Sequence, residues 1–446
     1  MKHLKIKKLK YVVFCMLAAV HHNAFSVDAE SAAPSEKITV IHAGQLLAIP
    51  GKKPLSKQTL VIQGGKLTQV LAGFINANDI AKGAAVIDLS SSFVMPGLMD
   101  MHVHLQGELG PKNDSEALKM SSQLMQMRSH MFAMRTLNAG FTTVRDVGSS
   151  PQEMYALRDA INNGWVQGPT IIAAGGVGIT GGHADVSGVS PELMEFHDDS
   201  TKTICNGPFD CRRATRHAIK YGADLIKITS TGGVLTDRAT GTGQQMEMDE
   251  LKEVVLAAKR MGKKVASHAH QEDGILAALE AGVASIEHGT YAGKKSYTLF
   301  KKTRAYLVPT LLAGETVLQM AKNTNVLSPS QKKKAIKVGT DMKGNFAKAY
   351  KAGVNIAFGT DSGVSKHGIN AQEAILMHKA GMSPMDIIKS ATINTADLIS
   401  KSESLGTLEV GKMADIIATD ASPLKNIEEL LDVDFVMKSG VVIKHQ

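Results

Sequence analysis

No apolar run near the N-terminus of this 446-residue chain is long enough to cross a membrane. The apolar stretch at residues 11–20 is well short of the roughly 20 residues that a spanning helix needs. Charge of one sign is also scarce. The formal balance is +8, but Lys2, Lys5, Lys7, Lys8 and Lys10 all precede that stretch. They belong to "MKHLKIKKLKYVVFCMLAAVHHNAFS", a basic start, an apolar middle and a small-residue exit at 24–26, which reads as a secretory signal. Without those five lysines, 45 basic side chains face 42 acidic ones and the charge falls to +3. That excess gives no reason to expect a nucleic-acid partner. Cysteine is rare too, with three in all. Cys15 lies in the signal without the Leu-small-small sequence of a lipoprotein site, so release without a membrane anchor is expected, into the periplasm or beyond. Cys205 and Cys211, in "ICNGPFDC", lack the spacing of a thiolate metal site. Either they close a small loop in an oxidising compartment or they stay reduced. Internal repeats and low-complexity segments are absent as well.

The rest is ordinary for a soluble globular chain: 43% hydrophobic, 21% charged and 41 Gly. After the signal come β-branched apolar runs, "ITVIHAGQLLAI", "TLVIQGGKLTQVL" and "AAVIDLSSSFVMPG", matched at the C-terminus by "ADIIATDASP" and "DFVMKSGVVIKHQ". These predict a small, antiparallel β-sandwich assembled from both chain ends, over 37–95 and 401–446. Between them, 96–400 alternates short apolar runs with helical patterns. Strands are predicted at 98–104, 142–147, 170–176, 225–231, 264–270, 284–290, 305–311 and 355–363, and the clearest helices at 116–138, 210–221, 249–261, 272–281, 330–352 and 384–399. Eight βα units make a (β/α)8 TIM-like barrel, so the fold class is α/β, with an active site at the carboxyl ends of the strands. Met120, Met127, Met131 and Met134 fall at helical spacing and are expected to fill the seam between helix and barrel.

Unusual residues gather at those strand ends. Strand one carries Asp100, His102 and His104 on one face. Strand four carries Lys227, strand five His268 and His270, strand six His288 and strand eight Asp361. Imidazole and carboxylate suit Zn and similar divalent ions. Four histidines (His102, His104, His288 and either His268 or His270) and the Asp361 carboxylate exceed what one open site needs, while two metals lack a bridge. A buried Lys227 favours its neutral amine, which can add carbon dioxide and become a bridging carbamate. Arg145 and Asp146 are expected to form a buried structural pair.

"PGLMDMHVHL", "DLIKITSTGG", "VASHAH", "IEHGT" and "GTDSGV" followed by "HG" resemble the motifs of the amidohydrolase superfamily. More narrowly, they resemble its imidazolonepropionase-like and prolidase-like branch of metal-dependent dipeptidases and N-acyl-amino-acid hydrolases. The resemblance spans essentially the whole mature chain. It implies that His102, His104 and Asp361 bind one metal, that His268 and His288 bind a second, and that carboxylated Lys227 bridges them, with His270 behind. It implies water activated between two divalent ions, Zn by default, with Asp361 as general base. Tyr291 and His183 are expected to face the substrate, Tyr291 on the developing oxyanion and His183 on a carboxylate, with His367 nearby. The expected substrate is a small molecule, a dipeptide or N-acyl amino acid, including Xaa-Pro types and aromatic amides of the mycotoxin kind. A cyclic-amide or lactone hydrolase on the same centre is the alternative, and a non-enzymatic metal-storage protein is the reading from another class. Specificity is expected to lie in loops after strands one, three, seven and eight ("QGELGPKND", "ITGGHADVSGVS", "LLAGETVL", "VSKHGI"). A homo-oligomer is compatible with all of this.

Overall fold

The computed structural model describes residues 37–446 apart from 113–114, 117–118, 186–189, 191, 193–202 and 238–240. The signal read at 1–26 lies outside the described residues, and so does part of the loop expected after strand three. Both chain ends join one seven-stranded sheet. Its strands are β1 (Thr39–Leu46), β2 (Leu55–Gln63), β3 (Lys66–Ala72), β4 (Ala85–Pro96), β13 (Ile416–Thr419), β14 (Phe435–Lys438) and β15 (Val441–His445), in the order β15-β14-β13-β4-β1-β2-β3. The sheet is not wholly antiparallel, because β1 runs parallel to β4. Ile41, Leu46, Leu60, Leu67, Val94, Ile416 and Phe435 form its own core.

The second sheet is parallel and nearly closed: β5 (Leu98–Val103), β6 (Phe141–Asp146), β7 (Thr170–Ile179), β9 (Leu225–Thr229), β10 (Val265–Ala269), β11 (Ser285–His288) and β12 (Tyr306–Val308), with β8 (Ile204–Cys205) paired to the end of β7. The segment predicted as strand eight sits between β12 and β5, but it is held by isolated bridges, Leu307 to Ile356 and Val103 to Ser362, and not by a regular ladder. The cause is local. Asp361 adopts φ +58°, which leaves the extended region. The N–H of Thr360 is donated to Asp100 Oδ1 at 3.1 Å instead of to a neighbouring strand. The result is a (β/α)8 TIM-like barrel beside a small β domain drawn from both termini.

Helices Gly207–Lys220, Met248–Arg260, Glu272–Ala281 and Pro329–Lys351 lie where the apolar periodicity puts them. The pattern at 384–399 resolves into two short helices, Pro384–Ser390 and Ile393–Leu398. "LLAGETVL" is no loop; it opens the helix Leu311–Asn323. Its small and apolar residues are packed between the barrel and the helix Pro329–Lys351. The methionine expectation holds for Met134, which packs partly buried against the core, but not for Met127 and Met131. On the helix Ser122–Asn138 the buried face is Ser129, Phe132, Ala133, Thr136 and Leu137, while Met127 and Met131 are 70% and 41% exposed. Cys205 and Cys211 form a disulfide that ties the end of β8 to the helix Gly207–Lys220. No helix among the described residues is long and apolar enough to cross a membrane.

Candidate active site

Parallel strands deliver their carboxyl ends to one face of the barrel. There, His102, His104, His183, Lys227, His268, His270, His288 and Asp361 line a single cavity of about 370 Å³. Seven of the eight come from strand ends, and His183 comes from the loop after β7. Tyr291 and His367 are not among the lining residues. Tyr291 donates its hydroxyl to Asp341 Oδ2 at 3.0 Å and packs against the cluster of Val234, Val317 and Val338. His367 binds the carbonyl of Gly107 through Nε2 at 3.0 Å and packs on Phe132.

Five of the six cavity histidines are fixed through one ring nitrogen. His102 Nδ1 is 2.9 Å from Glu287 Oε2, His288 Nδ1 is 2.7 Å from Thr310 Oγ1 and His270 Nδ1 is 2.9 Å from Thr290 Oγ1. His268 is held instead through Nε2, 3.2 Å from the carbonyl of Gly232. His183 Nδ1 meets Thr236 Oγ1, and its ring lies 4.4 Å from that of His268. Fixing one nitrogen sets the tautomer and orients the other, which is how metal-ligating histidines are commonly held.

Electrostatics keep most of these rings neutral. Burial, reinforced by the Lys227 charge, holds His102 and His183 down at about 4. Burial with His183 beside it takes His270 to about 3. His268 and His288 are pushed well below the ordinary value by burial and their neighbouring rings. His104 is the exception: burial opposes its charge, but the Asp361 carboxylate outweighs this and raises it. Burial also lowers Lys227 to about 8, against the pull of Glu287 and Asp361. Among the described residues its ammonium has no hydrogen-bond or ion-pair partner.

Two triads place one ligand atom per residue within 4.8 Å of one another: His268, His270 and His288, and His102, His288 and Asp361. Asp361 Oδ1 lies 3.0 Å from His104 Nε2 and 3.5 Å from His102 Nε2, yet among the described residues it is buried without a hydrogen bond of proper geometry. An orphaned carboxylate oxygen, neutral imidazoles and an unpaired buried amine make a donor set suited to divalent cations. His288 and Asp361 both hold positive φ, +70° and +58°, a conformation that costs free energy in a residue bearing a side chain. It persists because the surrounding hydrogen bonds over-determine it. Asp361 donates its N–H to the carbonyl of His102 at 2.7 Å.

The network behind the cavity was not foreseen from the sequence. Arg145 does not pair with Asp146. In a strand, adjacent side chains point to opposite faces. Arg145 reaches Glu287 Oε1 at 2.8 Å, Ser285 Oγ at 3.0 Å and the carbonyl of Met101 at 2.6 Å. Asp146 turns the other way to accept from the N–H groups of Leu105 and Ser149. Asp100 also stays out of the cavity. It accepts from Thr360 Oγ1 at 2.7 Å and Asn370 Nδ2 at 2.8 Å, pinning the Asp361 segment to strand one.

Opposite the histidines the cavity wall is apolar: Val234, Leu235, Val317, Val338, Met342 and Val364. Helices Leu311–Asn323 and Pro329–Lys351 approach closely there. A Cβ on Gly339 would stand 2.6 Å from the carbonyl oxygen of Gly314, and one on Gly314 would stand 2.5 Å from Met342 Sδ. Gly339 is required there, because a backbone carbonyl cannot give way as the Met342 side chain can.

Comparison with known proteins places these features in context. The Amidohydrolase family profile matches residues 93–443. Ochratoxinase from Aspergillus niger is 31% identical over 430 residues, covering 92% of this chain and 87% of the relative. Among solved structures, a Xaa-Pro dipeptidase with methionine bound in its active site matches with a TM-score of 0.85 and 41% identity, covering 91% of this chain and 99% of that one. A prolidase in complex with N-methylphosphonate-L-proline matches with a TM-score of 0.82 and 27% identity, covering 92% and 100% respectively.

Proposed function

The chain belongs to the amidohydrolase family and is a hydrolase of amide or peptide bonds; from that premise we propose a secreted, binuclear metal-dependent enzyme that cleaves dipeptides or N-acyl amino acids with an apolar side chain beside the scissile amide. The observation that carries the reading is the convergence of Lys227, Asp361 and five strand-end histidines on one cavity with an apolar wall. His102, His104 and Asp361 would hold one divalent ion, and His268 and His288 a second. Lys227, as its carbamate, would lie between them. His270 stands beside the second group, its ring stacked on that of His288. The ions, Zn foremost, supply Lewis acidity toward the amide carbonyl and acidify water.

The protein's own groups do the rest. Asp361, its Oδ1 free of hydrogen bonds, takes the proton of the attacking water and delivers it to the leaving amine. His183, held neutral over the ring of His268, offers Nε2 to the substrate. The wall of Val317, Val338 and Met342 excludes water and receives the side chain. Similarity to a Xaa-Pro dipeptidase with methionine bound in its active site and to an ochratoxinase supports this assignment.

The test is turnover of a dipeptide and N-acyl-amino-acid library by mature protein loaded with Zn and bicarbonate. Release of a free amino acid, abolished in Lys227→Ala and Asp361→Asn, is the expected result. No turnover across the library, with two metals bound per chain, refutes the dipeptidase reading and directs the search to lactones and cyclic amides.

A further inference from the structure

Thr310 and Glu373 divide between them a task that one residue ordinarily performs. Thr310 is the N-cap of the helix Leu311–Asn323, and threonine is a favoured N-cap because its hydroxyl accepts from the first free N–H groups. Here it makes no such bond. Its backbone is at φ +51°, rare for a β-branched residue, and its hydroxyl lies 2.7 Å from His288 Nδ1. The free N–H groups are satisfied from elsewhere. Leu311 donates to Glu373 Oε1 at 2.9 Å and Leu312 to Glu373 Oε2 at 2.6 Å.

Glu373 belongs to the helix Gln372–Lys379, and its side chain is fully buried with no cationic partner among the described residues. Burying a lone carboxylate is unfavourable; burial pushes this one up to about 8, against the two N–H donors. A helix that only needed a cap had Thr310 in place. The arrangement is explained if the threonine hydroxyl is needed elsewhere.

We infer that Glu373 is a positioning residue for the metal centre: by capping the helix Leu311–Asn323 in place of Thr310, it leaves the Thr310 hydroxyl to hold His288 through Nδ1. His288 then keeps its Nε2 edge toward the cavity, where it is common to both triads of candidate ligands. Without Glu373, the segment would relax toward the extended backbone from which a threonine hydroxyl caps its own helix, and the ring of His288 would lose its only side-chain hydrogen bond found among the described residues. The inference concerns cation binding, so it outlasts a failure of the amide-hydrolase substrate assignment.

The experiment is a double-mutant cycle read as Zn affinity, by chelator competition, alongside thermal unfolding of the metal-free full chain. Thr310→Val and Glu373→Gln are close to isosteric. Each is expected to weaken Zn binding about 10-fold, within the 10- to 100-fold range seen when such supporting partners are lost. Thr310→Ser, which keeps the hydroxyl, should stay within about 2-fold of wild type. Because Glu373 acts through Thr310, the double variant should bind Zn no more weakly than Thr310→Val alone. The inference is overturned if Glu373→Gln lowers the melting temperature yet binds Zn like wild type, or if the two losses multiply. A Glu373→Gln chain that does not fold also overturns it, since the carboxylate is then a stability element. Thr310→Val binding Zn like wild type removes the other half of the claim.

Discussion

Glu287→Gln removes one negative charge from the middle of a buried chain of groups, and the consequence can be worked from the geometry. The carboxylate holds Arg145 at 2.8 Å on one oxygen and His102 at 2.9 Å on the other, with all three side chains almost completely buried. Burial alone would raise the Glu287 carboxyl, but Arg145, His102 and Lys227 together outweigh it and hold the group well below the usual range. Glutamine keeps the volume and one acceptor but leaves Arg145 charged without a counter-ion. Breaking a buried pair from one side costs about 3–5 kcal/mol. The retained amide oxygen offsets part of that, so a loss of about 3 kcal/mol in unfolding free energy is expected by urea titration. Independently, His102 loses the carboxylate that fixes its tautomer, and Zn affinity should fall about 10- to 100-fold. The double variant Arg145→Met, Glu287→Gln separates the two effects. Removing the stranded charge should restore most of the stability, since apolar replacements of buried pairs are well tolerated, while Zn affinity stays weak. A Glu287→Gln chain that loses less than about 1 kcal/mol and binds Zn normally would falsify the reasoning.

Other consequences are as direct. Asp361→Asn should fold normally, because asparagine tolerates positive φ, and should lose about 10²- to 10⁴-fold in kcat; a variant that keeps near wild-type kcat removes Asp361 as the base. Met342→Ala enlarges the apolar end of the cavity, so kcat/KM for amides with a bulky aromatic side chain should rise relative to alanine amides by about 10-fold. No change in that ratio would mean the side chain lies elsewhere. Replacing both Cys205 and Cys211 with serine should cost about 2 kcal/mol, as expected for so short a closed loop; wild type under reductant should lose the same amount, and a discrepancy would point to damage from the serines themselves.

The barrel and the cavity-lining set were legible because both follow short-range rules. Period-2 and period-3.6 patterns mark strands and helices, and a parallel barrel puts strand ends on one face. His102, His104, Lys227, His268, His288 and Asp361 could therefore be assembled from their places in the alternation alone. What the pattern did not yield were groups whose role depends on a partner far away in sequence. Arg145 beside Asp146 invites a pairing that strand geometry forbids, and its true partner is 142 residues later. Glu287 stood in plain sight in "IEHGT", a carboxylate inside an apolar strand and in register with His268 on the neighbouring strand, and that placement was the available signal. The partner of the Tyr291 hydroxyl was hidden for the same reason, since Asp341 lies 50 residues on. Thr310 and Glu373 carried no local signal, because the local rule assigns the threonine to its own helix.

The hydrogen-bond partners suggest why so many polar groups are buried behind one cavity. A histidine offers two chemically similar nitrogens, and a ring free to choose would present either one. Glu287, Thr310 and Thr290 take Nδ1 of His102, His288 and His270, whereas the carbonyl of Gly232 takes Nε2 of His268. The partner behind each ring thus decides which nitrogen faces inward, and it does so before any cation arrives. That order matters energetically. An unordered ring would have to be ordered on binding, and the cost would be subtracted from the affinity. Here folding meets that cost, in the buried charge of Glu287 and in the positive φ of His288, Thr310 and Asp361. The free energy that folding gives up in this way is available to the site as pre-organisation.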